Sequence, residues 1–153
     1  MAHDHFLEDL TPGRTWTTGS LTIEADAIKA FAADYDRQAF HLDETAAEAT
    51  FFRGLAASGW QVAALSMRLL TEGEVPFAWG IVGAGGEISW PRPTRPGDRL
   101  TVHSEVLEVT RSKSRPDRGI VTVRNETRNQ DGDAVQVLVA KLVVPSRDGR
   151  PAA

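Results

Sequence analysis

Asp36 and His41 stand five positions apart in the stretch Asp36-Arg37-Gln38-Ala39-Phe40-His41, and Leu42-Asp43 follow at once. A carboxylate and an imidazole are the side chains best suited to move protons near neutral pH, and a loop lets both point at one bound water. The two are therefore a candidate acid/base pair. His41 is also the only histidine between residues 6 and 102. The same spacing arises by chance, with Asp36 or Asp43 capping a helix and His41 packing at the surface. The elements around the pair must decide between these readings.

Those elements divide the chain into a helical first half and a strand-rich second half. Arg14 to Leu21 alternates Trp16, Thr18 and Ser20 with small or polar neighbours and reads as a short strand. Thr22 then offers a helix cap, Glu24 and Asp26 suit a first turn, and Ile28, Phe31 and Ala32 recur at helical spacing. That helix is expected to end near Tyr35, which leaves Asp36 to His41 in a turn. Asp43 caps a second short helix carrying Ala46, Ala47 and Ala49, and Gly54 closes it. From Ser58 to Thr71 good helix formers are apolar around most of the circumference, so this helix belongs inside the fold.

After Gly73 and Pro76 the pattern changes. Ala78 to Trp90, Arg99 to Thr110, Gly119 to Asn129 and Ala134 to Val144 are rich in Val, Ile, Leu and Thr, with Asp131-Gly132 turning between the last two. Pro91, Pro93, Pro96 and Gly97 separate the first pair. Long antiparallel strands need one face covered, and the helix after Ser58 is the element able to cover it. The expected fold class is α+β, a curved antiparallel sheet wrapped around a long central helix.

Composition sets the outer limits. A chain of 153 residues makes one domain, here taken as 1–153, and buries roughly two-thirds of its unfolded surface without a disulfide or metal. The absence of cysteine excludes thiol nucleophiles and thiolate metal sites. A net charge of -4 argues against a general nucleic-acid binder, and the N-terminus carries no apolar run for a signal or a membrane span. A soluble cytoplasmic protein is expected. His3 and His5 flank Asp4 near a chain end, where frayed geometry disfavours a metal. Gly83-Ala84-Gly85-Gly86 lacks the third glycine of a dinucleotide fingerprint and marks a bulge or bend. His103 sits in an apolar strand and reads as a packed or surface residue.

These residues, in this order of elements, resemble the MaoC-like dehydratases and (R)-specific enoyl-CoA hydratases, which have the hotdog fold. That family's pattern is Asp, then Asn-Pro, then His five positions after the Asp, an acidic residue two further on, and His-Gly at the start of the central helix. Asp36, His41, Asp43 and Gly59 fit it, as does Pro96-Gly97-Asp98 before the next strand. Gln38, Ala39 and Ser58 depart from it, and Ala39 leaves the turn less restricted than proline would.

The resemblance implies reversible addition of water to a trans-2-enoyl-CoA to give a (3R)-hydroxyacyl-CoA, with Asp36 and His41 holding the water. It implies no cofactor beyond the coenzyme A thioester itself, and a homodimer or higher even oligomer. Burial beside Phe40 and Phe31 would raise the pKa of Asp36 and a charged His41 would lower it; the sequence leaves that balance open. Gly59 is the expected backbone donor to the thioester oxygen, since a helix N-terminus without a Cβ lets the thioester approach. The alternative is that Gly59 only lets helix and sheet pack. Ser58 either caps the helix or touches the ligand. Gln38, Phe40, Ser58 and Trp60 are the expected substrate contacts near the pair, with Trp60, Trp79 and Trp90 lining either an acyl tunnel or the core. Lys113, Arg115 and Arg118, near Arg111, are expected either to meet the coenzyme phosphates or to form a solvated loop, with Arg92 and Arg95 next in line. Two other classes compete: a hotdog thioesterase, disfavoured because Gly59 to Leu70 holds no Asp or Glu, and a non-catalytic acyl-CoA-binding domain.

Overall fold

Alternation of burial along the strands builds the scaffold. In the computed structural model, which describes residues 4–74 and 77–149, the inward residues Val121, Val123, Asn125 and Thr127 of β4 (Arg118–Arg128) are buried while their neighbours are partly exposed. The same period-2 pattern marks the first half of β3 (Arg99–Arg111) and parts of β5 (Ala134–Pro145). With β1 (Thr15–Thr22) and β2 (Gly83–Ser89) they form one antiparallel five-stranded sheet in the order β1-β3-β4-β5-β2. Pairing runs from Arg111 opposite Gly119 to Thr101 opposite Arg128, and from Arg118 opposite Pro145 to Arg128 opposite Ala134. His3 and Pro76 lie outside the described residues.

The helices lie between β1 and β2 in sequence: α1 (Ala25–Tyr35), α2 (Ala39–Leu42), α3 (Glu44–Glu48) and α4 (Gly59–Thr71). Thr22 is the last residue of β1, and Glu24 occupies the cap position of α1 without a side-chain cap bond. Asp43 does cap α3, its Oδ1 accepting from the Ala46 amide at 2.7 Å. The segment expected to be a bare turn contains the single helical turn α2, so His41 sits on a helix. The strand expected from Ala78 starts only at Gly83, because Phe77 to Gly80 closes a turn with Gly80 at φ +73°. The register shift between Gly83 and Gly85 is the bulge that the glycine run announces.

α4 packs on β1, β3 and β5 and is more one-sided than its composition implies. Gln61, Val62, Ser66 and Leu69 are buried, while Trp60 is 61% and Met67 39% exposed. At 13 residues it is little longer than the 11 of α1, so it is a covering helix on the sheet rather than a long helix buried all round. Ile23, Ile28, Leu55, Val62, Leu69, Leu100, Val102 and Val135 form the core where α1 and α4 meet the sheet. A second cluster around Leu7, Leu10, Phe77, Val106, Val121 and Val144 fills the other end.

Candidate active site

Asp36 ends α1, its amide donating to the Ala32 carbonyl at 3.0 Å, and α2 begins only three residues later. This short connection brings His41 back against Asp36. The imidazole is 4% exposed, its Nδ1 lies 2.6 Å from the Ala56 carbonyl, and its Nε2 lies 3.3 Å from Asp36 Oδ2. A carbonyl only accepts, so Nδ1 carries the proton and Nε2 is the nitrogen turned to the carboxylate.

Both oxygens of Asp36 are held. Gln38 Nε2 donates to Oδ1 at 2.6 Å and Ser58 Oγ donates to Oδ2 at 2.7 Å. Burial pushes the Asp36 carboxyl upward, but the hydrogen bonds from Gln38 and Ser58, with His41 alongside, outweigh it and leave the pKa below the usual aspartate value. The balance that the sequence leaves open thus falls on the side of the anion. Ser58, at the cap position of α4, makes no cap bond and is fully buried, so its hydroxyl serves Asp36 and is not presented as a cap or a ligand contact.

Around the pair is a cavity of about 530 Å³ lined by apolar walls, among them Phe40, Phe52, Trp60 and Trp90. Phe40 meets the His41 ring edge to face at 4.5 Å, and Trp60 meets Trp90 at 5.2 Å. Gly59 opens α4 inside this cavity, and a Cβ there would lie 2.5 Å from Trp90 Cε2. The glycine is therefore required by the packing of Trp90, and its amide, first in the helix, also has no intrahelical acceptor. The packing reading of Gly59 thus has a direct contact behind it. The Trp90 indole is fixed in turn by donating to Gln136 Oε1 at 3.1 Å.

The basic loop is not brought to this cavity. Lys113 and Arg115 lie in the β3–β4 connection, and Arg118 pairs with Asp117 at 2.6 Å and lies over the Trp79 ring. Arg118 is opposite Pro145, whereas the cavity reaches Val135 at the start of β5. The length of β4, 11 residues, separates them within one chain. Arg92 instead lines the cavity, its guanidinium 62% exposed and 3.8 Å from Asp133. Arg95 is spent on structure: its guanidinium donates to the carbonyls of Phe52, Gly54 and Leu55, fixing the loop that offers Ala56 to His41. Asp98 completes this corner by accepting from the Arg95 amide at 2.8 Å and from Gln130 Nε2 at 3.0 Å.

Gln136, which holds the Trp90 indole, escapes sequence reasoning because nothing in its own spacing marks it. His103 lies on the sheet at 3.3 Å from Thr17 Oγ1 and does not line the cavity. Among the described residues no cluster of His, Asp or Glu has the arrangement of a metal site, and no helix is long and apolar enough to cross a membrane.

The fold is that of a known class. The profile of the FAS1-like dehydratase domain region matches residues 11–138, and the chain belongs to this family of MaoC-like hotdog dehydratases. It is similar to a MaoC-like dehydratase from Rhodospirillum rubrum, with 55% identity, 97% of this chain and 99% of that chain covered, and a TM-score of 0.92. It is similar also to the (R)-hydratase from A. caviae involved in PHA biosynthesis, with 27% identity, coverage of 90% and 98%, and a TM-score of 0.70. A curated relative, the uncharacterized protein YdeM of Bacillus subtilis (strain 168), is 36% identical over 128 residues, which span 81% of this chain and 87% of that protein. The class of activity is that of a hydratase or dehydratase.

Proposed function

We propose that the protein adds water reversibly to a trans-2-enoyl-CoA to give a (3R)-hydroxyacyl-CoA. The observation that carries this is the His41 Nε2 to Asp36 Oδ2 approach at 3.3 Å, with His41 Nδ1 held by the Ala56 carbonyl, Asp36 Oδ1 by Gln38 and Oδ2 also by Ser58. Pinned in this way, an anionic carboxylate and the Nε2 of an imidazole converge on one water.

Asp36 takes a proton from that water as its oxygen bonds to C3, and the electrons of the C2–C3 double bond move toward the thioester oxygen. The intermediate is an enolate. C2 then gains a proton from the pair, the carbonyl re-forms, and the sum is one water added with no change in oxidation. Both proton movements run through Asp36 and His41 acting together, and microscopic reversibility makes the same groups expel water in the other direction. The Gly59 amide, at the positive end of α4, would meet the negative charge on the thioester oxygen.

A second cavity of about 420 Å³, lined by Trp60, Met67, Leu70, Leu138 and Leu142 among others, shares Trp60 with the catalytic one and suits an acyl chain. Arg92 is the cation nearest the cavity for the coenzyme's phosphates. The exposed, glycine-rich β2 is an edge strand beside exposed Val82, which suits pairing with a second copy; sedimentation at micromolar concentration is expected to show a homodimer or higher even assembly.

The test is a panel of trans-2-enoyl-CoAs incubated with the purified protein while the conjugated thioester absorbance is followed. Loss of that absorbance without release of free thiol supports the reading. Free coenzyme A would indicate a thioesterase, and a bound but unchanged thioester a binding domain.

A further inference from the structure

Asn125 interrupts an apolar wall. On the inward face of β4 it follows Val121 and Val123, it is 6% exposed, and it lines the cavity of about 420 Å³ together with Trp60, Met67, Leu138 and Leu142. Among the described residues of that lining Asn125 alone brings an amide or hydroxyl, the indoles of Trp16 and Trp60 are the other donors, and no side chain is charged. A carboxamide in such a place has to be accounted for by its partners.

The protein satisfies only half of it. Ser104 Oγ, on the facing residue of β3, donates to Asn125 Oδ1 at 2.7 Å and so turns that oxygen toward β3. The amide nitrogen carries two hydrogens and donates neither within the protein. The buried side-chain polar atoms without a partner among the described residues are Gln61 Oε1 and Thr94 Oγ1, so Asn125 Nδ2 keeps accessible surface. Its open side is the cavity. Val123 and Thr127, at 1% and 0% exposure, close it off along β4, and Ser104, at 2%, closes it off on β3. Leu138, opposite Asn125 on β5, lines the same cavity.

A plain hydrocarbon chain in this cavity would cover Nδ2 and strip its hydration with nothing in exchange, a loss that an oxygen on the chain avoids. A carboxylate there would be buried with no cation beside it. We propose that the acyl chain of the substrate carries an uncharged oxygen acceptor beyond the double bond, a keto or hydroxyl group, and that Asn125 Nδ2 donates to it. This rests on the hydration reading above and names the substrate class within it. Asn125 touches no reacting atom; it selects the chain.

The experiment measures kcat/KM of the purified protein for trans-2-enoyl-CoAs of equal chain length, either unsubstituted or with a keto, hydroxyl or carboxylate group walked along the chain. The wild type is expected to prefer one keto or hydroxyl position over the unsubstituted chain by roughly 10-fold or more, and to reject the carboxylate. Asn125→Leu should abolish that preference by lowering kcat/KM for the oxygenated chain and raising it for the plain one. That variant leaves Ser104 without its acceptor, so Ser104→Ala with Asn125→Leu, which replaces both partners, serves where the single variant folds poorly. Calorimetric binding of the saturated analogues should follow the same order. An unsubstituted or carboxylated chain turned over as well as any keto or hydroxyl chain, or a preference that survives in the double variant, would overturn the assignment and leave the hydratase reading intact. Tighter binding of the oxygenated analogue with hydration of none of the thioesters would overturn the hydratase reading alone, and equal binding with no hydration would overturn both.

Discussion

Ser58 Oγ donates to Asp36 Oδ2 at 2.7 Å across 22 residues of sequence, tying the first turn of α4 to the end of α1. That bond, with the one from Gln38, lets a partly buried aspartate remain an anion beside a buried histidine.

Ser58→Ala removes one of the two donors, so the Asp36 pKa should rise. Because the base must be ionised, the acid limb of kcat/KM against pH should move to higher pH, with KM at the plateau little altered. The stability sign agrees: a carboxyl whose folded pKa is lowered stabilises the fold above its unfolded pKa, and the contribution is lost as pH falls through the folded value. An acid limb that stays in place in the variant would show that Ser58 does not tune the base.

Asp36→Asn and His41→Ala each take away a proton-handling group from a cavity wall. Either should cut kcat for enoyl-CoA hydration on the order of 100-fold or more, with circular dichroism and melting showing the fold retained. Near-normal turnover in either variant excludes the paired mechanism.

Gly59→Ala introduces a Cβ that would lie 2.5 Å from the Trp90 ring, so the indole must shift and strain its bond to Gln136. Overpacking of this kind costs about 1–3 kcal/mol, and the displaced ring also narrows the cavity. Lower melting together with weaker turnover is the expected result, and Trp90→Phe combined with Gly59→Ala should recover part of the stability. If Gly59→Ala melts like wild type, the contact is not a constraint.

Arg92→Gln should raise KM for the CoA thioester and reduce its salt dependence, leaving kcat nearly unchanged. Neutralising Lys113, Arg115 and Arg118 together should leave KM as it is, because the cavity lies at the other end of β4. The opposite pattern, with the triple variant alone affecting KM, would mean that a second copy delivers that loop to the site.

Much of this protein is legible in one dimension because the signals are local. Period-2 alternation marks β3, β4 and β5, Asp131-Gly132 marks the last hairpin, where Gly132 takes φ +81°, and Asp43 marks the cap of α3. The spacing of Asp36 and His41 announces a pair because one short connection and one helical turn bring such residues together. What local signals cannot carry is the identity of partners supplied from elsewhere in the chain. Ser58 has the residue type of a cap, yet its hydroxyl goes to a carboxylate 22 residues away, since charge-assisted bonding outweighs a cap bond. Arg95 has the type of a phosphate ligand, yet three loop carbonyls claim it. The basic loop and the cavity around Asp36 and His41 lie toward opposite ends of β4, a distance that only strand pairing sets. Residue types and spacing thus determined the candidate chemistry and most elements, while tertiary packing decided which donors are already satisfied and which still face the cavity.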